Sequence, residues 1–418
     1  MANSVTFETR RPLVLSTQVK TFGKHENIPM TQNDVIKAIV AGAEPVLTSV
    51  DPLTGDVVEV PLTLENLEEY VPANYDPTAP EEEKEPGDDI VTVDGSYVFL
   101  NGTAGVICLD DEGNTVLKAK TSNGVVKSYP LTADSRVLGG SDLKSVASSN
   151  ITMVGGTVNG IYGGGRGNTE SFASVDDVKI KVTGGKVSNV VAGGGILACR
   201  CKNVSIVMSD CTAGNVQGGG MASHNSMSAG EKLHPEDSKN SCENVKIELT
   251  NVTLPGGNAC VYLGGQGYSY VVNTEGVLNG VDISSGYCVT GGSNGRTDHA
   301  KLTINSGNYN VLQSINRGFM VTSDTIVNGG EIKKAFAGGE DPESWNGGND
   351  IVNGFFTDEA AINLTINGGT INELHTGSNG ENTIGADDPI VHVYVGANAI
   401  VENIEDAKMV FGTTLTVA

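Results

Sequence analysis

The chain has 418 residues, a formal net charge of −24 and 55 glycines, which puts glycine at about twice its usual share of roughly 7%. Aromatic residues make up only 5%, too few for a large conventional core, so the architecture has to pack small and β-branched side chains in repeated layers. The acidity repels phosphate backbones and anionic headgroups, which excludes nucleic acid and bare membrane as partners, and no run approaches the ~18 apolar residues of a membrane span.

Residues 1–75 mix helix and strand signals and read as a small mixed α/β domain. The first twenty residues hold neither an apolar stretch of about 7–15 residues nor a small-residue cleavage site, so no export leader is expected. Thr31-Gln-Asn-Asp34 precedes the apolar-periodic Val35, Ile36, Ile39 and Val40. That pattern predicts a helix capped by Thr31, with Asp34 at its positive end. A second short helix is expected over Leu64–Tyr70, capped by Thr63.

Residues 76–89 are proline-rich and acidic and read as an exposed linker. Residues 90–149 follow as short strands, among them Tyr97–Leu100 and Thr115–Lys120, with a hairpin turn at Asn123-Gly124. Together 76–149 form an expected linker and small β neck. Val46-Leu47 leads through a glycine turn to Pro61-Leu62-Thr63, and Val116-Leu117 leads likewise to Pro130-Leu131-Thr132. The match fits an internal duplication of one hairpin unit.

From 150 to 418 the chain repeats. The unit is a short alternating strand, a glycine pair, a second short strand, then Gly-Gly or Gly-Gly-Gly and a variable loop. Val178–Val182 with Gly184-Gly185 and Gly193–Gly195 is one copy; Val204–Val207 with Gly218–Gly220 is the next. Clear copies return at Thr325–Gly330 and Leu364–Gly369, with weaker ones near Val281 and Leu302. Constant strands separated by loops of changing length predict a right-handed parallel β-helix, a solenoid. Its nine coils would rise roughly 43 Å at about 4.8 Å each. Glycine pairs belong where the chain turns between faces. Asn159, Asn189, Asn215, Asn310 and Asn372 recur after the second strand and are expected to stack at coil corners.

The seven cysteines are an odd number, six of them within Cys199–Cys288. They are expected as buried free thiols. Cys199-x-Cys201 has the wrong spacing for zinc, and His224, His234, His299, His375 and His392 show no metal spacing. No metal or cofactor is expected. Glycan-cleaving sites need clustered carboxylates, yet Asp176-Asp177 and Asp387-Asp388 are isolated pairs, so no catalytic residue is assigned. Asn150, Asn203, Asn251 and Asn363 head Asn-x-Ser/Thr sequences that fall mostly on strands. The longest insertions, Met221–Cys242 and Glu340–Phe356, are where recognition would concentrate. The single tryptophan, Trp345, lies in the second and is the candidate loop contact.

The segment Val154-Gly-Gly-Thr-Val-Asn-Gly-Ile-Tyr-Gly-Gly-Gly165, echoed at Ile366–Asn372, resembles the β-helical repeats of bacterial surface adhesin-like proteins. It is also similar to repeats in bacteriophage fibres, tailspikes and head-decorating proteins. The missing leader and unpaired cysteines favour the bacteriophage side, because a virion protein assembles in the host cytoplasm and is freed by lysis. The resemblance implies a structural, non-enzymatic fibre or head appendage. Residues 1–75 would anchor to capsid or tail proteins, 76–149 would form the neck, and 150–418 would project for surface adhesion or host attachment. It further implies a homo-oligomer, with a trimer favoured, and a host glycan as a candidate receptor. A tailspike-like depolymerase and a bacterial adhesin are the alternatives.

Overall fold

A computed structural model describes residues 14–18, 27–28, 31–42, 44–50, 53, 57–71, 73, 87–168, 170–222, 239–267, 269–292, 295–314, 316, 319–338, 355–376, 390–405 and 413–418. The chain is mainly β, with a long sheet of many strands. It divides into two compact units, one of residues 1–89 with 120–127, the other of residues 90–119 with 128–418.

The first unit holds a four-stranded antiparallel sheet. Val14–Gln18 lies between Asn27–Ile28 and Glu44–Val50, and Glu44–Val50 pairs onward with Val57–Pro61. The helix Gln32–Val40 starts as its sequence predicts. The Thr31 hydroxyl accepts from the Asp34 amide, and the Asp34 carboxylate accepts from the Thr31 amide at 3.1 Å. This reciprocal cap satisfies two backbone donors that a helix start leaves free. Val35, Leu47, Leu62, Leu67 and Val71 close a small core. The second helix is one turn shorter than expected, Leu67–Tyr70. Thr63 does not cap it; Thr63 and Asn66 instead bond each other's amides across the preceding turn. Asn123-Gly124 forms the expected turn, with Gly124 at φ +78° and the Thr121 amide donating to the Val125 carbonyl at 2.9 Å.

The second unit is built from two parallel ladders that the chain visits alternately. The long-strand ladder runs through Ala104–Leu109, Ser145–Met153, Ala173–Val182, Cys199–Ser209, Ser241–Thr250, Tyr270–Asn279, Arg296–Ile304 and Phe319–Val327. It continues through the first halves of Phe355–His375 and Ile390–Glu405 and then Thr413–Val417, eleven strands in all. The short-strand ladder runs through Tyr97–Phe99, Arg136–Leu138, Thr157–Tyr162, Lys186–Ala192 and Thr212–Gln217. Beyond them come Cys260–Tyr262, Val281–Val289, Gly307–Gln313, Glu331–Phe336 and the second halves of Phe355–His375 and Ile390–Glu405.

Alternation explains the packing. Ile151, Ile180, Ile206 and Ile247 are register partners on successive long strands, all nearly inaccessible, and the same column continues through Gly276, Leu302, the buried Thr325 and Leu364. Each rung thus buries its inward residues against the rungs above and below, and the backbone groups between them pair. Antiparallel strands cover the first rung: Thr115–Lys120 lies against Ala104–Leu109, and Thr92–Asp94 against Tyr97–Phe99.

Glycine serves two different needs here. After the long strand, Gly156, Gly185, Gly330 and Gly369 all have φ between +82° and +101°; Asp210 and Asn251 fill the same corner at φ +50° and +52°. The Gly-Gly-Gly runs have another cause. A Cβ on Gly193 would stand 2.2 Å from the Gly218 carbonyl oxygen, and one on Gly194 would stand 2.5 Å from the Gly220 nitrogen. Backbone packs on backbone at that corner, and no side chain fits.

Two features of the second unit differ from what the sequence predicts. The repeat was expected to start at 150, after a neck, but parallel pairing already begins at Tyr97 and Ala104. The expected weak copy near Val281 belongs to the short-strand ladder; the long strand of that rung is Tyr270–Asn279. Its alternation is hidden because Gly276 takes an inward position, where the Leu263 side chain fills the space a Cβ would need.

Candidate functional site

The outward face of the long-strand ladder carries the most organised polar chemistry. Register places Asp177, Asn203, Asn244, Asn273, His299 and Thr322 one above another. Asn203 Nδ2 donates to Asp177 Oδ1 at 2.9 Å, Asn244 Nδ2 to Asn203 Oδ1 at 3.3 Å, and Asn273 Nδ2 to Asn244 Oδ1 at 3.2 Å. Each amide donates toward the N-terminal rung and offers its oxygen toward the C-terminal one. The chain of amides starts on a carboxylate, which has only acceptors, and stops at Asn273. On the next rungs His299 Nδ1 and Thr322 Oγ1 are hydrogen bonded at 2.9 Å, the donor set by the imidazole tautomer.

Beside this column stands a second one, Lys246, Glu275, Lys301 and Asp324, in successive register. The signs alternate, so like charges never face each other across a rung. Lys301 Nζ lies 3.9 Å from Glu275 Oε1. The two columns flank a shallow groove of about 320 Å³. Its floor is the strand backbone, and its walls are exposed amide, imidazole, hydroxyl, ammonium and carboxylate groups.

A separate amide ladder stands at the corner after the long strand. Asn305 donates to Asn279, Asn328 to Asn305 and Asn367 to Asn328, each at 2.9 Å. The asparagines expected to stack after the second strand behave differently. Asn215 Nδ2 donates to the Asn189 carbonyl at 3.2 Å while its Oδ1 accepts from the Cys260 amide, so side chain and backbone are stitched together there.

Of the carboxylates considered for catalysis, Asp176 and Asp177 are engaged with neighbouring rungs. Asp176 pairs with Lys202 at 2.8 Å and Asp177 terminates the amide chain. His375 stacks on Phe336 with ring centroids 4.3 Å apart, and His392 is an exposed strand residue. Trp345, His224, His234 and Asp387-Asp388 lie outside the described residues. Among the described residues, no group of His, Cys, Asp and Glu side chains has metal-binding geometry, and His299 makes no bond to a carboxylate that would orient it as a base.

Six of the seven cysteines are buried and all are free. Contact with Cys201, together with full burial, holds the Cys199 thiol well above the usual range, and burial pushes Cys211 up to about 11. Thiols held protonated are poor nucleophiles and act as small apolar fillers.

At the N-terminal end of the ladders, Arg166 forms a clamp. Its guanidinium lies 5.0 Å from the ring centroids of both Tyr97 and Phe99. It donates twice to Asp142, each at 2.9 Å, and once to Asp94 at 2.6 Å. The hydrogen bond from Arg166 holds the Asp142 carboxyl below its usual range. No helix of the described chain is long and apolar enough to cross a membrane. No family model, no curated protein and no solved structure matches the chain.

Proposed function

We propose that residues 90–119 with 128–418 wind as a right-handed parallel β-helix, and that the chain is a non-enzymatic structural component of a bacteriophage particle, a head or tail fibre. In this reading residues 1–75 dock on capsid or tail proteins, the β-helix projects to meet the host surface, and three copies assemble in the host cytoplasm. The observation that carries the reading is the alternate visiting of two parallel ladders, each strand pairing with the strand one full repeat away. Eleven rungs at about 4.8 Å give a rise near 50 Å. Columns of outward asparagines and aspartates bond to one another along the rungs, as a scaffold requires. The free buried thiols fit assembly in a reducing compartment, and the antiparallel strands over the first rung fit the cap that a stacked repeat needs.

Two experiments test this reading. Particles grown with a chain lacking residues 1–75 are expected to lack the protein; incorporation at the normal level refutes the anchor. The purified full chain is expected to sediment as an elongated oligomer and to leave host polysaccharide intact. Sustained cleavage of that polysaccharide would move the chain to the depolymerases.

A further inference from the structure

We infer that the groove where the amide chain ends, over Asn244, Asn273, His299 and Thr322, binds a neutral extended glycan. Three observations lead there. The first is unfinished hydrogen bonding. Asn273 Oδ1 is the last acceptor of the polarised amide chain, and among the described residues no donor from the next rung reaches it. Asn244 spends one N–H and one lone pair on its neighbours and Asn273 spends one N–H, so each keeps a second N–H and at least one lone pair for a ligand in the groove they line.

The second observation is charge. The chain carries −24 overall, yet the groove pairs Lys246 and Lys301 with Glu275 and Asp324 and is locally neutral. A polyanion meets two carboxylates there, and a polycation meets two ammoniums. A hydroxyl group donates and accepts at once, so a chain of sugar hydroxyls satisfies amide, imidazole, ammonium and carboxylate together without adding charge. The third observation is repetition. Equivalent positions recur at each rung, about 4.8 Å apart, so the four residues span roughly 14 Å of straight, repeating hydrogen-bond sites. A pyranose ring is comparable in length to one rung, and an extended oligosaccharide laid along the ladder presents hydroxyls at a matching interval. A peptide strand is the poorer fit, because its backbone bonds are met at a sheet edge and not on a sheet face.

The site has no aromatic platform, and its groups are well hydrated when empty. Affinity for one chain is therefore low, in the millimolar range, and copies side by side raise it by avidity. The proposal rests on the attachment reading above for the exposure of this face in the assembled protein.

The test uses the full chain and saturation-transfer NMR with hexasaccharides of glucose, mannose and galactose as neutral probes and hexagalacturonate as the anionic one. At least one neutral probe is expected to bind, with hexagalacturonate weaker. Asn273→Leu and His299→Ala should each weaken that binding about five- to tenfold, the effect of one or two lost hydrogen bonds. Asn328→Leu, on the separate corner ladder, should leave it unchanged. All three positions are exposed, so circular dichroism should show the native fold throughout. No neutral probe bound at millimolar concentration, preference for hexagalacturonate, or equal binding by the Asn273 and His299 variants overturns the assignment. These outcomes do not depend on particle incorporation, so the groove and the anchor can fail separately.

Discussion

Replacing Arg166 with methionine tests whether side chains at the N-terminal end hold the first rungs in place. The guanidinium is 21% exposed, Asp142 41% and Asp94 66%. The contact to Asp94 is therefore largely screened and contributes little. The paired bonds to Asp142 are partly shielded and contribute about 1 kcal/mol. The two ring contacts add about 0.5–1 kcal/mol each. The loss totals about 2–3 kcal/mol, and it falls locally, because Arg166 joins residues 94–99 to residue 142 across separate rungs. Hydrogen exchange read by mass spectrometry is the suitable assay, since it resolves local opening. Protection over 97–100 and 136–142 should fall about 30- to 150-fold in Arg166→Met, at roughly 1.4 kcal/mol per factor of ten, with the rungs beyond Tyr270 unchanged. The Asp142 carboxyl is held below its unfolded value near 3.9. Its contribution is therefore complete above that pH and lost as pH falls through the lower folded value. Wild-type protection should drop across that acid window, and Arg166→Met should show no such drop. Exchange over 97–100 within twofold of wild type would refute the clamp.

Three further outcomes follow from the same geometry. Gly193→Ala places a Cβ against the Gly218 carbonyl and should cost more than about 3 kcal/mol, seen as loss of soluble protein or a large fall in thermal midpoint; Gly257→Ala, with nothing within 4 Å, should be neutral or slightly stabilising. Asn328→Asp sets a carboxylate against the Asn305 oxygen 2.9 Å away and should destabilise by about 1 kcal/mol at neutral pH, with the loss recovered near pH 3 once the carboxyl can donate; denaturant midpoints at the two pH values decide. Under native conditions a thiol reagent should modify Cys108 fastest, since the other six cysteines are buried, and all seven should react after denaturation; rapid native labelling of Cys201 or Cys242 would contradict their burial.

The rung strands were legible where alternation is strict, as in Val178–Val182 and Val245–Leu249, and the helix at Gln32 was legible from its cap. Tyr270–Asn279 escaped because Gly276 sits where an apolar residue marks the other rungs, and Leu263, thirteen positions earlier, fills the space instead. Ala104–Leu109 was missed as a rung because one of its edges pairs antiparallel with Thr115–Lys120. The two Pro-Leu-Thr segments make equivalent bonds: the Leu62 amide donates to the Pro45 carbonyl and the Leu131 amide to the Thr115 carbonyl, at 2.8 and 2.9 Å. The amide column was the least visible feature. Asn203, Asn244 and Asn273 are 41 and 29 residues apart, and only the register of the strands brings them into line.

The unequal spacing of the rungs has a practical meaning. Most of the length variation falls at one corner, between the glycine-rich turn and the next long strand, while the strands on either side keep register across it. The extra residues between Gly220 and Ser241 leave Cys201 paired with Cys242 just as Val175 pairs with Cys201 one rung earlier. Register is set by the neighbouring rung and not by the path between them, so that corner behaves as a cassette slot. Foreign peptides of twenty residues or so, inserted there in place of the native segment, would be displayed from a scaffold whose register is set by the rungs on either side.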